Sequence, residues 1–297
     1  MTHVVVLGSA NMDLVVRVAR APRHGETVTG REFRTAPGGK GANQAIAAAR
    51  CGATVSMIGA VGDDGFGTRL RSALEHSGVD TDLLRTVEGR SGTAHIVVDD
   101  DGGNAIVVIP GANGTVDHLV PGDEGLIATA DVLLLQLEIP LAAVVAGARA
   151  ARAHGVRTVL TPSPARPLPP ELLGSVDLLV ANESEALALT GRADPVDAAH
   201  DLLADVPEVV VTLGSAGSFH LRRDAEPLAV AAPRVTAVDT TGAGDTFVGA
   251  LAVALAEGRP VQDALRWAAA AAALCVQREG ASASMPYRSE IDARFTS

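Results

Sequence analysis

Short, almost purely apolar runs recur at residues 3–7, 132–136, 158–160, 178–180 and 209–212, with stretches of helical spacing between them. A strand that is apolar on both faces has no wet side. It belongs inside a parallel sheet with helices packed over both faces. Helices are expected at 41–51, closed by Gly52, at 66–76, and at 141–153, stopped by His154 and Gly155. Two Ala-rich helices are expected at about 243–256 and 261–277. A strand at 54–60, a Pro-rich loop at 161–170 and a turn at 213–217 leading into a strand at 218–221 complete the pattern. Asn182, with Glu185 three residues on, has the form of a capping box. No internal repeat and no linker intervenes. The expected fold is therefore one α/β domain over residues 1–297, with a doubly wound, mostly parallel central sheet and helices on both faces.

Two stretches break this alternation. In 14–36, apolar and polar residues alternate around a Pro-Arg-His-Gly turn, and in 91–109 two β-branched runs flank Asp99-Asp-Asp-Gly-Gly103. Both read as antiparallel hairpins with a polar face. They predict a small β-sheet from about 13–37 and 91–110, set over the main sheet as a lid or as a dimer contact.

Charge and composition narrow the partners. The net charge of −11 argues against nucleic acid and against an anionic membrane surface. No apolar run reaches the ~18 residues of a membrane span, and no basic leader precedes the first strand. Cys51 and Cys275 have neither metal-ligand nor disulfide spacing, which suits a reducing cytoplasm. The histidines do not group with acids or cysteines. Trp267, on an Ala-rich helix, is expected in the core. Of the 24 basic residues all but Lys40 are arginine. Lys40 lies within Pro-Gly-Gly-Lys-Gly-Ala-Asn, where a compact ammonium fits better than a planar guanidinium, unless it is a leftover surface lysine.

The chemistry concentrates at Asp239-Thr-Thr-Gly-Ala-Gly-Asp245. A β-branched run at 235–238 predicts a strand leading in, and the spacing of Phe247, Val248, Leu251 and Leu255 predicts a helix leading out. Such a helix start offers unpaired N–H groups, and Gly242 and Gly244 let an anion come close. Asp245 is an acid at the mouth of that anion site. Either it complements the helix dipole or it removes a proton from the group attacking a phosphate. Asn11 and Asp13, if extended, point to one side beyond the first strand as a ligand-gripping pair, or else form a turn. No Gly-x-x-x-x-Gly-Lys-Ser/Thr run and no Gly-x-Gly-x-x-Gly after the first strand is present, so P-loop and dinucleotide-binding readings lose ground.

With Gly-Gly-Lys-Gly-Ala-Asn at 38–43 and Asp-Thr-Thr-Gly-Ala-Gly-Asp-Thr-Phe at 239–247, the chain resembles the PfkB-type carbohydrate kinase family, most closely its ribose-phosphorylating members. Asn11-Met-Asp13, Gln136-Leu-Glu138, Asn182-Glu-Ser-Glu185 and Thr212-Leu-Gly-Ser215 follow the same order as in that family. The resemblance implies an ATP-dependent kinase acting on the 5-hydroxyl of D-ribose. It implies Asp245 as base and an anion hole from the N–H groups of Gly242, Ala243 and Gly244. The sugar would be held at Asn11, Met12, Asp13, Gly39, Lys40, Gly41, Ala42, Asn43 and Glu138. ATP would lie along Asn182, Glu185, Thr212, Leu213, Gly214, Ser215, Ala216, Gly217, Gly244 and Asp245, with Mg²⁺ organised by the Asn-x-x-Glu pair. A K⁺ site is implied at Asp239, Thr241, Cys275, Arg278, Gly280 and Ser284, and a homodimer through the lid. Glu279 departs from the family's Arg-Lys-Gly-Ala, as do Thr161-Pro-Ser-Pro and Ala181 from the usual neighbours of those positions. Deoxyribose, fructose, a ketodeoxy sugar acid or a nucleoside are alternative substrates, although only 2% aromatic residues leave little to stack a base on. A non-catalytic sugar-binding protein is the reading from another class.

Overall fold

The computed structural model describes residues 2–101 and 103–295. Gly102, in the expected 99–103 turn, and the extreme ends of the expected 1–297 domain lie outside the described residues. In chain order come β1 (His3–Leu7), β2 (Asn11–Arg17), β3 (Glu32–Gly38), α1 (Lys40–Arg50), β4 (Thr54–Gly62) and α2 (Gly65–His76). Then follow β5 (Val79–Asp80), β6 (Leu84–Val87), β7 (Gly92–Val98), β8 (Asn104–Ile109) and, after a turn at Gly111–Thr115, α3 (Asp123–Ile127). The middle of the chain forms β9 (Val132–Leu135), α4 (Leu141–Ala153), β10 (Arg157–Leu160), α5 (Pro170–Leu173), β11 (Leu178–Asn182), α6 (Glu183–Thr190) and α7 (Pro195–Leu203). The last third holds β12 (Glu208–Thr212), β13 (Ser218–Arg222), β14 (Leu228–Val230), α8 (Ala243–Ala256), α9 (Val261–Cys275) and α10 (Arg288–Phe295).

The apolar runs become the centre of the main sheet, ordered β14-β13-β12-β11-β10-β9-β1-β4-β5, with β6 paired to β4. Pairing is parallel from β12 through to β5, and β13 and β14 add antiparallel at one edge. Successive side chains of a strand alternate, so each apolar run feeds two cores. Val4, Val6 and Leu134 pack with α1, α8 and α9, whereas Val5, Leu7, Leu133 and Leu135 pack with α4, α6 and α7. Trp267 lies fully inside the first core, as expected.

From β1 the chain goes to β4 on one side and later returns through β9 on the other. The carboxyl ends of β1 and β9 therefore part at a topological switch point, where open α/β sheets bind ligands. Over that crevice lies the second sheet, β3-β2-β7-β8. Within it β2 pairs antiparallel with β3 and parallel with β7, and β7 and β8 form the expected hairpin.

One expectation fails in this region. Residues 235–238 form no strand. The Val238 and Asp239 N–H groups instead donate to the Val276 carbonyl, 2.7 and 3.2 Å away, and Val238 is exposed. The run pairs with no strand, and its last N–H, on Val238, turns with that of Asp239 to the end of α9.

Candidate active site

Glycines bring the start of α1 onto the end of β1. A Cβ at Gly39 would sit 2.6 Å from the Asn11 nitrogen, and one at Gly41 would sit 2.5 Å from the Ser9 nitrogen. Gly39 also takes φ 91°, which disfavours any side chain. Glu138, just beyond β9, ties the approach together. Its Oε2 accepts from Ser9 Oγ (2.6 Å), Asn11 Nδ2 (3.2 Å) and the Lys40 N–H (3.0 Å). Asn113, in the Gly111–Thr115 turn, donates to Asn11 Oδ1 at 2.8 Å and exchanges two hydrogen bonds with the Ala10 backbone. Asn11 and Asp13 lie on β2 with their side chains on one face, as alternation requires.

Asp245 enters from the opposite side, in the first turn of α8. Its Oδ2 accepts from Asn43 Nδ2 at 3.0 Å and its Oδ1 from Gln44 Nε2 at 3.1 Å. Gln44 is itself held, donating to Thr161 Oγ1 and accepting from Gln136 Nε2. Burial pushes the Asp245 carboxyl above its ordinary value, against the pull of Lys40 and the two amides. For Lys40, burial acts to lower the ammonium pKa, but Asp245, Glu138 and Glu185 outweigh it and hold it above the ordinary value. Asp13 is raised to about 7 by burial, then by Glu138 and Asp245. No hydrogen bond reaches the Asp13 carboxylate among the described residues, and Asn43 Oδ1 is buried and unpartnered. Two acceptors, an ammonium and an oriented carboxylate thus converge on one crevice, a set suited to a ligand rich in hydroxyls.

Beside this crevice lies the α8 mouth. Gly242 caps the helix in the left-handed region (φ 76°) with no side-chain cap. The Ala243 N–H is turned to the Thr240 carbonyl at 3.2 Å, so Gly242 and Gly244 carry the open donors. A Cβ on Gly244 would meet nothing within 4 Å, so this side of the helix mouth is open space. A cavity of about 390 Å³ adjoins it, lined by Thr212, Gly214, Ser215, Gly217, Val235, Gly244, Phe247 and the Ala272–Ala273 side of α9. Leu213 and Ala216 of the same turn do not line it. A second cavity, of about 470 Å³, lies under the lid, bordered by Asp13, Arg34, Ile96, Asp239, Thr241 and Gly280. Ala237 and Thr240 border both cavities, so the loop before α8 is the partition between them.

The other expected residues have definite places. Met12 is fully buried and packs in the core, and Ala42 is buried beside it. Asn182 and Glu185 do form a capping box: Asn182 Oδ1 accepts from the Glu185 N–H and Glu185 Oε2 from the Asn182 N–H. Among the described residues no three His, Cys, Asp or Glu side chains gather as a metal cage. Glu185 Oε1 takes no part in the capping box. Asp239 accepts from the Thr241 N–H and Oγ1 and from the Gly280 N–H, and Cys275 Sγ lies 3.0 Å from Ser284 Oγ and 3.9 Å from the Thr241 carbonyl. The Arg278 side chain turns away to Glu290. These residues thus gather around the Asp239 carboxylate, where the segment before α8 meets the turn after α9.

Ser9, Gln44, Asn113 and Arg34 bear on the site without having been singled out from the sequence. Gln44 had a readable signal, a polar residue on the apolar stretch directly after Asn43. The other three had none, because their partners lie far along the chain.

Comparison with known proteins bears on the family and the fold. Residues 1–288 match the model of the pfkB family carbohydrate kinases. The ribokinase of Bacillus subtilis is 44% identical over 298 residues, covering 98% of this chain and 99% of that protein. The ribokinase of Schizosaccharomyces pombe is 43% identical over 312 residues, covering 99% and 98%. The structure of Arabidopsis thaliana ribokinase complexed with ribose and ATP superposes with a TM-score of 0.93 at 37% identity, covering 100% of both chains. On the full-length match, the glycine-bounded crevice and the aspartate at the helix mouth together, the chain belongs to the pfkB family of carbohydrate kinases.

Proposed function

We propose that this kinase transfers the γ-phosphoryl group of ATP to the 5-hydroxyl of D-ribose, giving ribose 5-phosphate. The observation that carries the reading is Asp245: a carboxylate oriented by the Asn43 and Gln44 amides, directly after Gly244, which borders the 390 Å³ cavity. The relative holding ribose and ATP supports this choice of substrates.

Sugar hydroxyls donate to Asp13 and Asn43 Oδ1, and Lys40 and Asn11 complete the grip. Glu138 acts mainly by orienting Ser9, Asn11 and the Lys40 backbone. As the 5-oxygen attacks the γ-phosphorus, its proton passes to Asp245. The new O–P bond forms while the bridging O–P bond to ADP breaks, and ADP leaves with the electron pair. The raised pKa of Asp245 makes it a better proton acceptor than an ordinary carboxylate. The Gly242 and Gly244 N–H groups steady the charge on the group in transfer. Thr212, Gly214, Ser215 and Gly217 border the nucleotide. Asn182 and Glu185 would hold Mg²⁺ through water, and Asp239, Thr241, Cys275, Arg278, Gly280 and Ser284 would hold K⁺. These ions supply positive charge next to the phosphates.

Coupled ADP release over a panel of pentoses and hexoses tests the reading, with ribose expected to give the highest kcat/KM. No turnover on any sugar with ATP, Mg²⁺ and K⁺ present would leave a binding protein instead. Asp245→Asn is expected to lower kcat by roughly 10²–10⁴-fold with nucleotide binding retained. Turnover is expected to be faster in K⁺ than in Na⁺ or Tris, and equal rates would remove the cation site.

A further inference from the structure

Arg34 is carried on β3 of the lid, yet its guanidinium reaches the loop below. Nη2 donates to Asp239 Oδ2 at 3.4 Å, and Nη1 lies 3.9 Å from Glu279 Oε2. Nε is buried without a partner, so this is not an arginine lying free in water. The carboxylate it meets already orders its surroundings. Asp239 accepts from the Thr241 N–H (2.9 Å), Thr241 Oγ1 (2.6 Å) and the Gly280 N–H (3.0 Å). One side chain thus joins the lid, the turn after α9 and the segment that leads into Gly242 and Gly244. That segment needs an external anchor, because Gly242 has no side-chain cap and glycine backbone is the freest in the chain. Two other side-chain bonds tie β3 to the main body: Arg69 to Thr35 Oγ1 and Ser282 to the Pro37 carbonyl. Neither reaches the loop before α8. Arg17, Asp99 and Asp100 also border the cavity around Arg34, and Asp100 is paired with Arg31.

We propose that Arg34 is a positioning residue that couples the lid to the phosphoryl-binding donors: through Asp239 it sets the 240–244 backbone when the lid lies over the sugar, and Glu279 steadies it. It acts on the loop from outside the reacting groups. The inference rests on the phosphoryl-transfer reading above. Its consequence is that the donors for the transferred group are fully ordered only over a covered sugar, which restrains loss of ATP to water.

The test uses the full chain with Arg34→Ala, Arg34→Lys and Glu279→Gln, comparing steady-state kinetics with hydrogen exchange of residues 239–246, with and without ribose. Arg34→Ala is expected to lower kcat about tenfold, the size of a lost charge-assisted hydrogen bond, while both KM values move less than about threefold. Exchange at 240–244 is expected to quicken, and the protection that ribose gives wild type there to shrink. Arg34→Lys recovers part of both effects, and Glu279→Gln shows a smaller change in the same direction. Unaltered exchange at 240–244, or a lowered melting temperature with kcat intact, overturns the proposal. If wild type phosphorylates no sugar, the kinase reading fails by itself, and the exchange comparison still decides whether Arg34 holds the loop.

Discussion

Asp13 stands in the crevice with two carboxylates for neighbours and no donor of its own, which gives it a testable thermodynamic signature. Burial, Glu138 and Asp245 raise its carboxyl from an ordinary 3.8 to about 7 in the fold. Between those values the folded state keeps a proton that the unfolded state has lost. The stability it contributes is therefore present below the lower value and is lost as pH rises through the upper one. Removing the charge relieves this. Asp13→Asn is expected to stabilise the sugar-free protein at pH 8 by on the order of 1–3 kcal/mol, and to do little at pH 4. The same change is expected to raise the sugar KM by about tenfold or more, since an oriented acceptor for hydroxyls is gone. Melting curves at the two pH values check the first part: a gap between variant and wild type that does not widen with pH would sink it. A site that is destabilising while empty is the usual mark of binding machinery.

At the scale of elements, the active site depends on how closely α8 lies against α1. Gly249, one turn beyond Asp245, makes that contact. A Cβ there would fall 2.7 Å from Ala47 Cβ and 2.9 Å from the Gln44 carbonyl. Both neighbours belong to the helix that carries Asn43 and Gln44, the partners of Asp245. Gly249→Ala must push the helices apart, at a cost of about 1–3 kcal/mol. It is expected to reduce kcat more than the KM for ATP, because the base and its amides separate while the nucleotide cavity is bounded elsewhere. Denaturant unfolding and kinetics on the one variant check both effects. A loss of stability with kcat unchanged would mean that the helix spacing does not set the base.

For the whole molecule, the conspicuous surface feature is the lid. Phe33 is 63% exposed, and Ile106, Val107, Val108 and Ile109 lie exposed along the edge strand β8. An apolar edge strand invites pairing with a second strand. We propose that a second copy of the chain pairs there through the lid, each copy covering the other's edge. Val107→Asp is expected to shift the protein from dimer to monomer in light scattering at micromolar concentration. A wild-type chain that is already monomeric there contradicts the arrangement. Among the described residues no helix is long and apolar enough to cross a membrane, in line with the composition.

The parts of this protein that its sequence determines by itself are those governed by near neighbours. The apolar runs of β1, β9, β10, β11 and β12 can satisfy both faces only inside a helix-covered sheet. The Asn182–Glu185 capping box closes over three residues, and the hairpin of β7 and β8 is written in its turn. The Gly-rich stretches at 38–43 and 239–245 state in advance where backbone must come close to something. Tertiary structure alone decided what that something is. Asp245 meets Asn43 across 202 positions, Asn113 meets Asn11 across 102, and Arg34 meets Asp239 across 205. The run at 235–238 shows the same limit in reverse: its residues favour a strand, but it pairs with none, and the Val238 N–H goes to the end of α9 instead. Burial is an average over many atoms and survives in a local pattern. A hydrogen bond requires two particular atoms within about 3 Å, and which distant segments meet that closely is settled only when the cores pack.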